Sequence, residues 1–148
     1  MKKAYRLRKG RVSLTNHDYI VTMVSHNRNK LFTKLNMNRC LIKHMREIER
    51  EQRIKSIAFV IMPDHLHWQF QILSNNTLSN IVRLFKGRTA ASFYKFEIYK
   101  LWQKRYYDHL IRNEEDLIAS ARYIIANPLR AKLAGKVADY SYWDCVYV

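Results

Sequence analysis

Residues 59–72 read FVIMPDHLHWQFQI. An apolar run ends at Met62, Pro63-Asp64 interrupts it, and a strict alternation follows. Leu66, Trp68, Phe70 and Ile72 are apolar, whereas His65, His67, Gln69 and Gln71 are polar. Successive strand side chains point to opposite faces, so the spacing predicts one core-facing set and one set turned away from the core. The preceding run, 54–62, shows no alternation and predicts a strand buried on both faces. Two adjacent strands broken by Pro-Asp are the centre from which the rest of the chain can be placed.

Upstream, 18–25 (DYIVTMVS) is β-branched and aromatic and predicts a first strand. Met37, Leu41, Met45 and Ile48 recur at helical spacing and predict a helix over 36–52. Downstream, Ser74-Asn75-Asn76-Thr77 predicts a turn that caps a helix over 78–99, and 100–111 predicts a fourth strand or extended segment. Asn113 followed by Glu114, Glu115 and Asp116 predicts a helix start, since acceptors there satisfy free amides and the positive dipole end. That helix should run to about Asn127 and stop at Pro128. The order is that of an α+β, ferredoxin-like split βαβ fold: an antiparallel sheet with helices on one face and an added C-terminal helix. In this topology the first and third strands are central. Three Gly, two Pro and no repeat predict a single domain over 1–148, with a basic arm at about 1–15 and an aromatic tail at about 136–148.

Composition narrows the partners. The chain has 148 residues, enough for one real core, and 27 Lys and Arg against 12 Asp and Glu give a net charge of +15. Such a balance predicts a polyanionic partner, nucleic acid first and an anionic membrane surface second. The first twelve residues hold six Lys and Arg and no acid, with no apolar stretch behind them, so they read as a basic arm rather than a signal peptide. No apolar run is long enough to span a bilayer. Cys40 and Cys145 match no metal or redox spacing and read as free thiols in a reducing compartment, Cys40 within the core.

Several residues carry candidate chemistry. His65 and His67 project on one strand face, near enough to hold one ion; a pair of solvent-facing histidines is the other reading of this spacing. On a helical wheel Asp116, Ser120, Tyr123 and Asn127 form a polar stripe beside an apolar one of Leu117, Ala121, Ile124 and Ile125. If that stripe faces the histidines, Asn127 completes a metal set with Tyr123 beside it. The spacing alone equally fits a tyrosine at a core edge and a helix-terminal Asn before proline. Tyr107, sharing a strand face with His109, is a second nucleophile candidate. Between Arg83 and Arg105 there are seven Lys and Arg and one acid, Glu97. Arg83, Lys86 and Arg88 flank Gly87 as a phosphate-tracking face, while Leu78, Ile81, Val82, Phe85 and Phe93 are placed for the core. Trp102, Tyr106 and Tyr107 suit either base stacking or packing.

The chain resembles the HUH single-tyrosine (IS200-like) transposases, and within them the REP-associated tyrosine transposases of bacteria. The matching stretches are RLRKGRVSLTNHDYIVT (6–22), MPDHLHW (62–68), LWQKRYYDHLIRNEEDL (101–117) and ARYIIANPLRAKLAG (121–135). Their order and spacing are more specific than any one of them. The resemblance implies that His65 and His67 bind a divalent metal, Mg2+ or Mn2+, assisted by Asn127, and that Tyr123 is the nucleophile. Simpler insertion-sequence relatives carry Gln where this chain has Asn127, which favours the REP-associated branch. The implied substrate is single-stranded DNA with a hairpin, the repetitive extragenic palindrome, cut and rejoined through a 5′-phosphotyrosine. Arg6, Arg8, Lys9 and Arg11 of the arm, with Arg83, Lys86, Arg88, Lys104 and Arg105, are the implied DNA contacts. A cytoplasmic, nucleoid-associated monomer with no membrane partner is expected, a homodimer being the alternative. The rival function is a non-catalytic hairpin-binding protein that keeps the fold, which would need none of the four site residues.

Overall fold

The computed structural model describes residues 17–147. The expected arm contacts Arg6, Arg8, Lys9 and Arg11 lie outside the described residues. Five strands form one antiparallel sheet in the order β4-β1-β3-β2-β5. They are β1 (Asp18–Val24), β2 (Ile54–Met62), β3 (His65–Ile72), β4 (Tyr107–Ile111) and β5 (Trp143–Cys145). The helices are α1 (Leu35–Arg50), α2 (Leu78–Ser92), α3 (Glu114–Ile125) and a single turn, α4 (Asn127–Arg130). The first four strands follow the split βαβ order, with β1 and β3 central as expected.

The alternation in β3 is realised completely. Leu66, Trp68, Phe70 and Ile72 are all fully buried. With Tyr19, Val21 and Met23 of β1 and Phe59 and Ile61 of β2 they meet Leu41, Met45 and Ile48 of α1 and Ile81, Val82 and Phe85 of α2. Both βαβ helices therefore cover one face. A second, smaller core lies on the other face, where Ala121, Ile124 and Ile125 of α3 pack on Ile57, Ala58, Val60 and Met62. This is why 54–62 lacks alternation: β2 serves both cores. A β-bulge between Ser56 and Ala58 turns Ile57 and Ala58 into the same core, filling the space beneath α3.

The predicted caps form. Thr77 Oγ1 accepts the Asn80 N–H at 3.2 Å, and Asn113 Oδ1 accepts that of Asp116 at 2.9 Å. Four local expectations change. The second helix stops at Ser92 because 93–96 tighten into a 3-10 turn that buries Phe93, and Glu97 leaves it in the left-handed region at φ 61°. The fourth strand begins only at Tyr107. The 100–106 approach is irregular, anchored by buried Leu101 and Tyr106 and by Lys86, whose ammonium donates to the carbonyls of Gln103 (2.7 Å) and Arg105 (3.1 Å). Pro128 does not end the helical path. The long helix stops at Ile125, and Pro128 occupies the first turn of α4, where its missing N–H costs nothing. Finally, the tail contributes β5, which pairs antiparallel with β2 at Ala58–Val60. The Tyr140 hydroxyl donates to the Ile61 carbonyl at 2.6 Å, and burial with the neighbouring Tyr142 pushes its pKa up to about 12. No described helix is long and apolar enough to cross a membrane.

Since α3 is held by few apolar side chains, Ile124→Ala should destabilise the fold by roughly 2–5 kcal/mol, a cavity cost read as a lower urea midpoint. A loss below about 1 kcal/mol would show that α3 is not anchored through this side chain.

Candidate active site

The register of β3 fixes the site. His65 lies opposite Val24 and Met62, and His67 opposite Thr22 and Val60, all at the end of the sheet where the Pro63-Asp64 turn lies. The two rings meet edge to face with centroids 4.9 Å apart. Each is held by its Nδ1. The Asp64 carboxylate lies 2.7 Å from His65 Nδ1, and Thr22 Oγ1 lies 2.8 Å from His67 Nδ1. Asp64 is itself gripped by Arg28 at 3.0 Å. Burial works against its charge, but the bond to His65 and the positive charges of His65 and Arg28 keep its pKa below the usual carboxylate value. With Nδ1 engaged, Nε2 is the nitrogen each imidazole offers to a ligand. Burial first, then the charges of His65 and Arg130, hold His67 down at about 4. It is therefore neutral near pH 7, the form that ligates metals.

Helix α3 brings the remaining residues. A groove of about 590 Å³ is lined by His67, Ser120, Tyr123 and Asn127, with Ile20, Thr22 and His109 from the sheet. Asn127 Nδ2 donates to the Ile124 carbonyl at 2.9 Å, which leaves its Oδ1 as the atom for the groove. Tyr123 is 64% exposed. The Arg130 guanidinium stacks 3.6 Å from the centre of its ring and donates to its carbonyl at 2.8 Å. The polar stripe expected on this helix thus faces the polar side of β3, with Ser120, Tyr123 and Asn127 on the groove. Asp116 is instead occupied at the far end, bonded by Asn113. The buried Gln69 amide donates to Leu117 O at 3.0 Å and ties the helix to the strand between the two ends.

Among the described residues no three His, Cys, Asp or Glu side chains are grouped to hold a metal. His67 and Asn127 line the groove, and the His65 ring packs beside His67, so two imidazole nitrogens and one amide oxygen are the donors in this neighbourhood. They suit a divalent cation that keeps most of its coordination positions for water or phosphate. Sequence reasoning did not assign Thr22, Asp64, Arg28 or Arg130. The pairing partners of β1 were not legible, and Arg130 stands seven positions after Tyr123, beyond a helix break that the wheel does not cross.

The other expected contacts have distinct places. Arg83 is exposed and bonded to Asn80. Arg88 forms a forked ion pair with Glu51 at 2.7 and 3.1 Å, whose bonds, with that from Arg53, pull the Glu51 pKa down to about 2. Lys86 holds the 103–105 backbone. Lys104 and Arg105 are exposed on that same connection. Tyr106 is buried, and Trp102 donates to Thr89 Oγ1 and packs on Phe32 and Phe85, so both belong to packing. Tyr107 is 37% exposed and outside the groove, whereas His109 lines it.

Charge follows the strand axis. At the histidine end the β1–α1 connection carries Arg28, Lys30 and Lys34, and the approach to β4 carries Lys95, Lys100, Lys104 and Arg105. Arg130 and Lys132 follow α3 at the same end. At the opposite end Glu47, Glu49 and Glu51 at the close of α1, and Glu114, Glu115 and Asp116 at the start of α3, are offset by Arg46, Arg50, Arg53, Lys55 and Arg112, so that end is close to neutral.

Comparison with known proteins gives a consistent result. The profile of the family described as "Transposase IS200 like" matches residues 13–127. A Haemophilus influenzae protein provisionally described as a REP-associated tyrosine transposase is 25% identical over 137 residues, 84% of this chain and 77% of that protein. The REP-associated tyrosine transposase of Escherichia coli K12 is 26% identical over 98 residues, 65% of this chain and 57% of that protein. The chain spans just over half the length of two of the curated relatives it matches. A solved REP-associated tyrosine transposase bound to a REP hairpin shares the fold with a TM-score of 0.76 at 21% identity, over 90% of this chain and 79% of that one.

Two measurements follow from the geometry. The unfolded chain protonates His67 near the ordinary 6.5 and the folded one only near 4, so acidification across that window should weaken the metal-free protein. The loss is at most about 3 kcal/mol, complete below the folded value. Urea midpoints between these pH values should fall for the wild type, and that share of the slope should vanish in His67→Gln. Asp64→Asn should reduce divalent-ion affinity by roughly 10- to 100-fold by releasing the His65 ring; calorimetric titration with Mn2+ giving wild-type affinity would show that the ring needs no such anchor.

Proposed function

We propose that this chain, which belongs to the IS200-like transposase family, breaks and rejoins single-stranded DNA beside a hairpin through a covalent link to Tyr123. The observation that carries this reading is the single groove lined by His67, Tyr123 and Asn127, with the His65 ring packed against His67. A largely exposed phenol needs a neighbouring electrophile made reactive, and a phosphodiester is a poor one until its charge is offset.

His65 and His67 through Nε2, and Asn127 through Oδ1, would hold a divalent cation, Mg2+ or Mn2+. Bound there, the ion supplies positive charge to the phosphate as negative charge develops on it. The chain's own residues do the rest. Asp64 and Thr22 keep the imidazole rings oriented and neutral His67 ready. Arg130, flat against the Tyr123 ring, restricts where the phenol points and adds a cation at the groove mouth. The Tyr123 oxygen attacks phosphorus, the bond from phosphorus to the 3′ oxygen breaks, and the phenolic proton is balanced by the 3′ hydroxyl that leaves. The 5′ phosphate stays on the tyrosine. One ester has replaced another, so a 3′ hydroxyl can reverse the step and join strands without ATP.

One chain contributes His67, Tyr123 and Asn127 to the same groove, with His65 packed against His67, so on this reading the reaction needs no second subunit. The solved relative named above was bound to a REP hairpin, and a hairpin of this kind, with its single-stranded flank, is the substrate proposed here. The positive end of the molecule would draw the phosphates, with exposed Lys104 and Arg105 as contacts there; the expected arm contacts Arg6, Arg8, Lys9 and Arg11 lie outside the described residues.

The decisive experiment traps the intermediate. Incubation with Mn2+ and a labelled REP-type hairpin carrying a single-stranded flank should give a protein–DNA adduct stable to denaturing electrophoresis. Tyr123→Phe should abolish the adduct and retain hairpin binding. An unchanged adduct in that variant would move the nucleophile elsewhere, Tyr107 first. Hairpin binding with no adduct in the wild type would mark a binding protein that keeps the fold.

A further inference from the structure

Tyr94 and Tyr99 are left outside both cores. They are 58% and 63% exposed, and their rings meet edge to face with centroids 5.1 Å apart. The turn that carries them is built rather than loose. Phe93 is fully buried and packs edge to face on Phe96 at 5.2 Å. Glu97, in the left-handed region at φ 61°, donates its N–H to the Tyr94 carbonyl at 2.9 Å, and Ile98 donates to that of Phe93 at 3.2 Å. Those bonds fold Tyr99 back onto Tyr94. Exposing two large rings on an ordered turn contributes nothing to folding, because the apolar area stays in water. Lys95 and Lys100 each follow one of the two tyrosines in sequence, both exposed, with Glu97 as the one acid between them; the Lys95 ammonium lies 5.1 Å from the centre of the Phe96 ring.

The turn is coupled to the groove by backbone. The Leu101 carbonyl accepts the His26 N–H at 2.8 Å, Trp102 bridges Ser25, and the Ser25 N–H donates to Asp64, the residue before His65, at 2.9 Å. We propose that Tyr94 and Tyr99 form a stacking platform for unpaired bases of the DNA strand that passes over this end of the sheet, with Lys95 and Lys100 meeting its phosphates. The inference rests on the reading of the substrate as single-stranded DNA. Rings interleaved with lysines match a chain that alternates flat bases with phosphates, and every base offers a π face to them. Two lysines at the rim argue against a second copy of this equally basic chain as the occupant.

The test uses the full chain and single-stranded oligonucleotides carrying 2-aminopurine. Tyr94→Ala/Tyr99→Ala should weaken binding by roughly tenfold or more, while the corresponding Phe pair binds like wild type. The salt slope should be unchanged in the Ala pair but reduced by about 1.4 in Lys95→Ala/Lys100→Ala, as expected for two phosphates of a single strand. Adduct formation on Tyr123 at saturating DNA should match wild type in both. Binding within twofold of wild type by the Ala pair, at unchanged thermal stability, would overturn the platform. A change in sedimentation with unchanged DNA affinity would overturn it too, placing the rings at a contact between copies. Weaker binding by the Ala pair alongside a wild type that forms no adduct would support the platform and reject the cutting reaction alone.

Discussion

The register of β3 between β1 and β2 is the constraint on which the molecule depends. Leu66, Trp68, Phe70 and Ile72 are fully buried on one side, each stabilising the fold by roughly 1.5–3 kcal/mol relative to exposure. A slip of one residue would push all four into the groove and both imidazoles into the main core. The packing that selects this register therefore also selects where the histidines point. It sets Thr22 across from His67, where its hydroxyl meets the ring at 2.8 Å. The same pairing that stabilises the sheet orients the site.

The two cores divide the work. The larger one, between the sheet and α1 and α2, contains most of the buried apolar side chains. The smaller one attaches α3 through Ala121, Ile124 and Ile125 and is closed by the tail through Tyr140, Trp143 and Cys145. An attachment this narrow leaves the groove beside α3 open to solvent, and Tyr123 stands at its edge, 64% exposed. The nucleophile role proposed for Tyr123 would require it to be reachable by a polymer from outside, and a helix laid on a finished sheet meets that requirement better than a strand within it. The break at Ala126 then lets Asn127 begin a new turn, and Arg130 returns over the Tyr123 ring.

Much of this was legible from residue types alone. Period-two alternation gave the faces of β3, and unbroken apolarity gave a doubly buried β2. Asn113 and Thr77 gave two helix starts. The IS200-like resemblance supplied the link between His65, His67, Tyr123 and Asn127, which spacing left open. What stayed hidden depended on tertiary context. β5 is three residues long and has no pattern of its own, since its backbone bonds and the Tyr140 hydroxyl only acquire partners once β2 is in place. Pro128 reads as a stop because a proline inside a helix is costly, yet at the first turn of a new helix the cost disappears. Trp102 and Tyr106 look like stacking residues by composition, but Thr89 and the packing against Phe85 hold Trp102, and Tyr106 is buried. Sequence can name an aromatic residue; only the fold decides whether its face is free.

The separation of charge along the strand axis has a kinetic meaning. A body with a cation excess at one end and near balance at the other carries a dipole on top of its net charge. Near a polyanion such a body experiences a torque as well as an attraction, both acting within about a Debye length of contact. Random collisions between two such objects are mostly misaligned, and alignment is what ordinarily slows association below the diffusion limit. For the DNA proposed above, the histidine end would lead, and part of the search for the right face would be made during the approach.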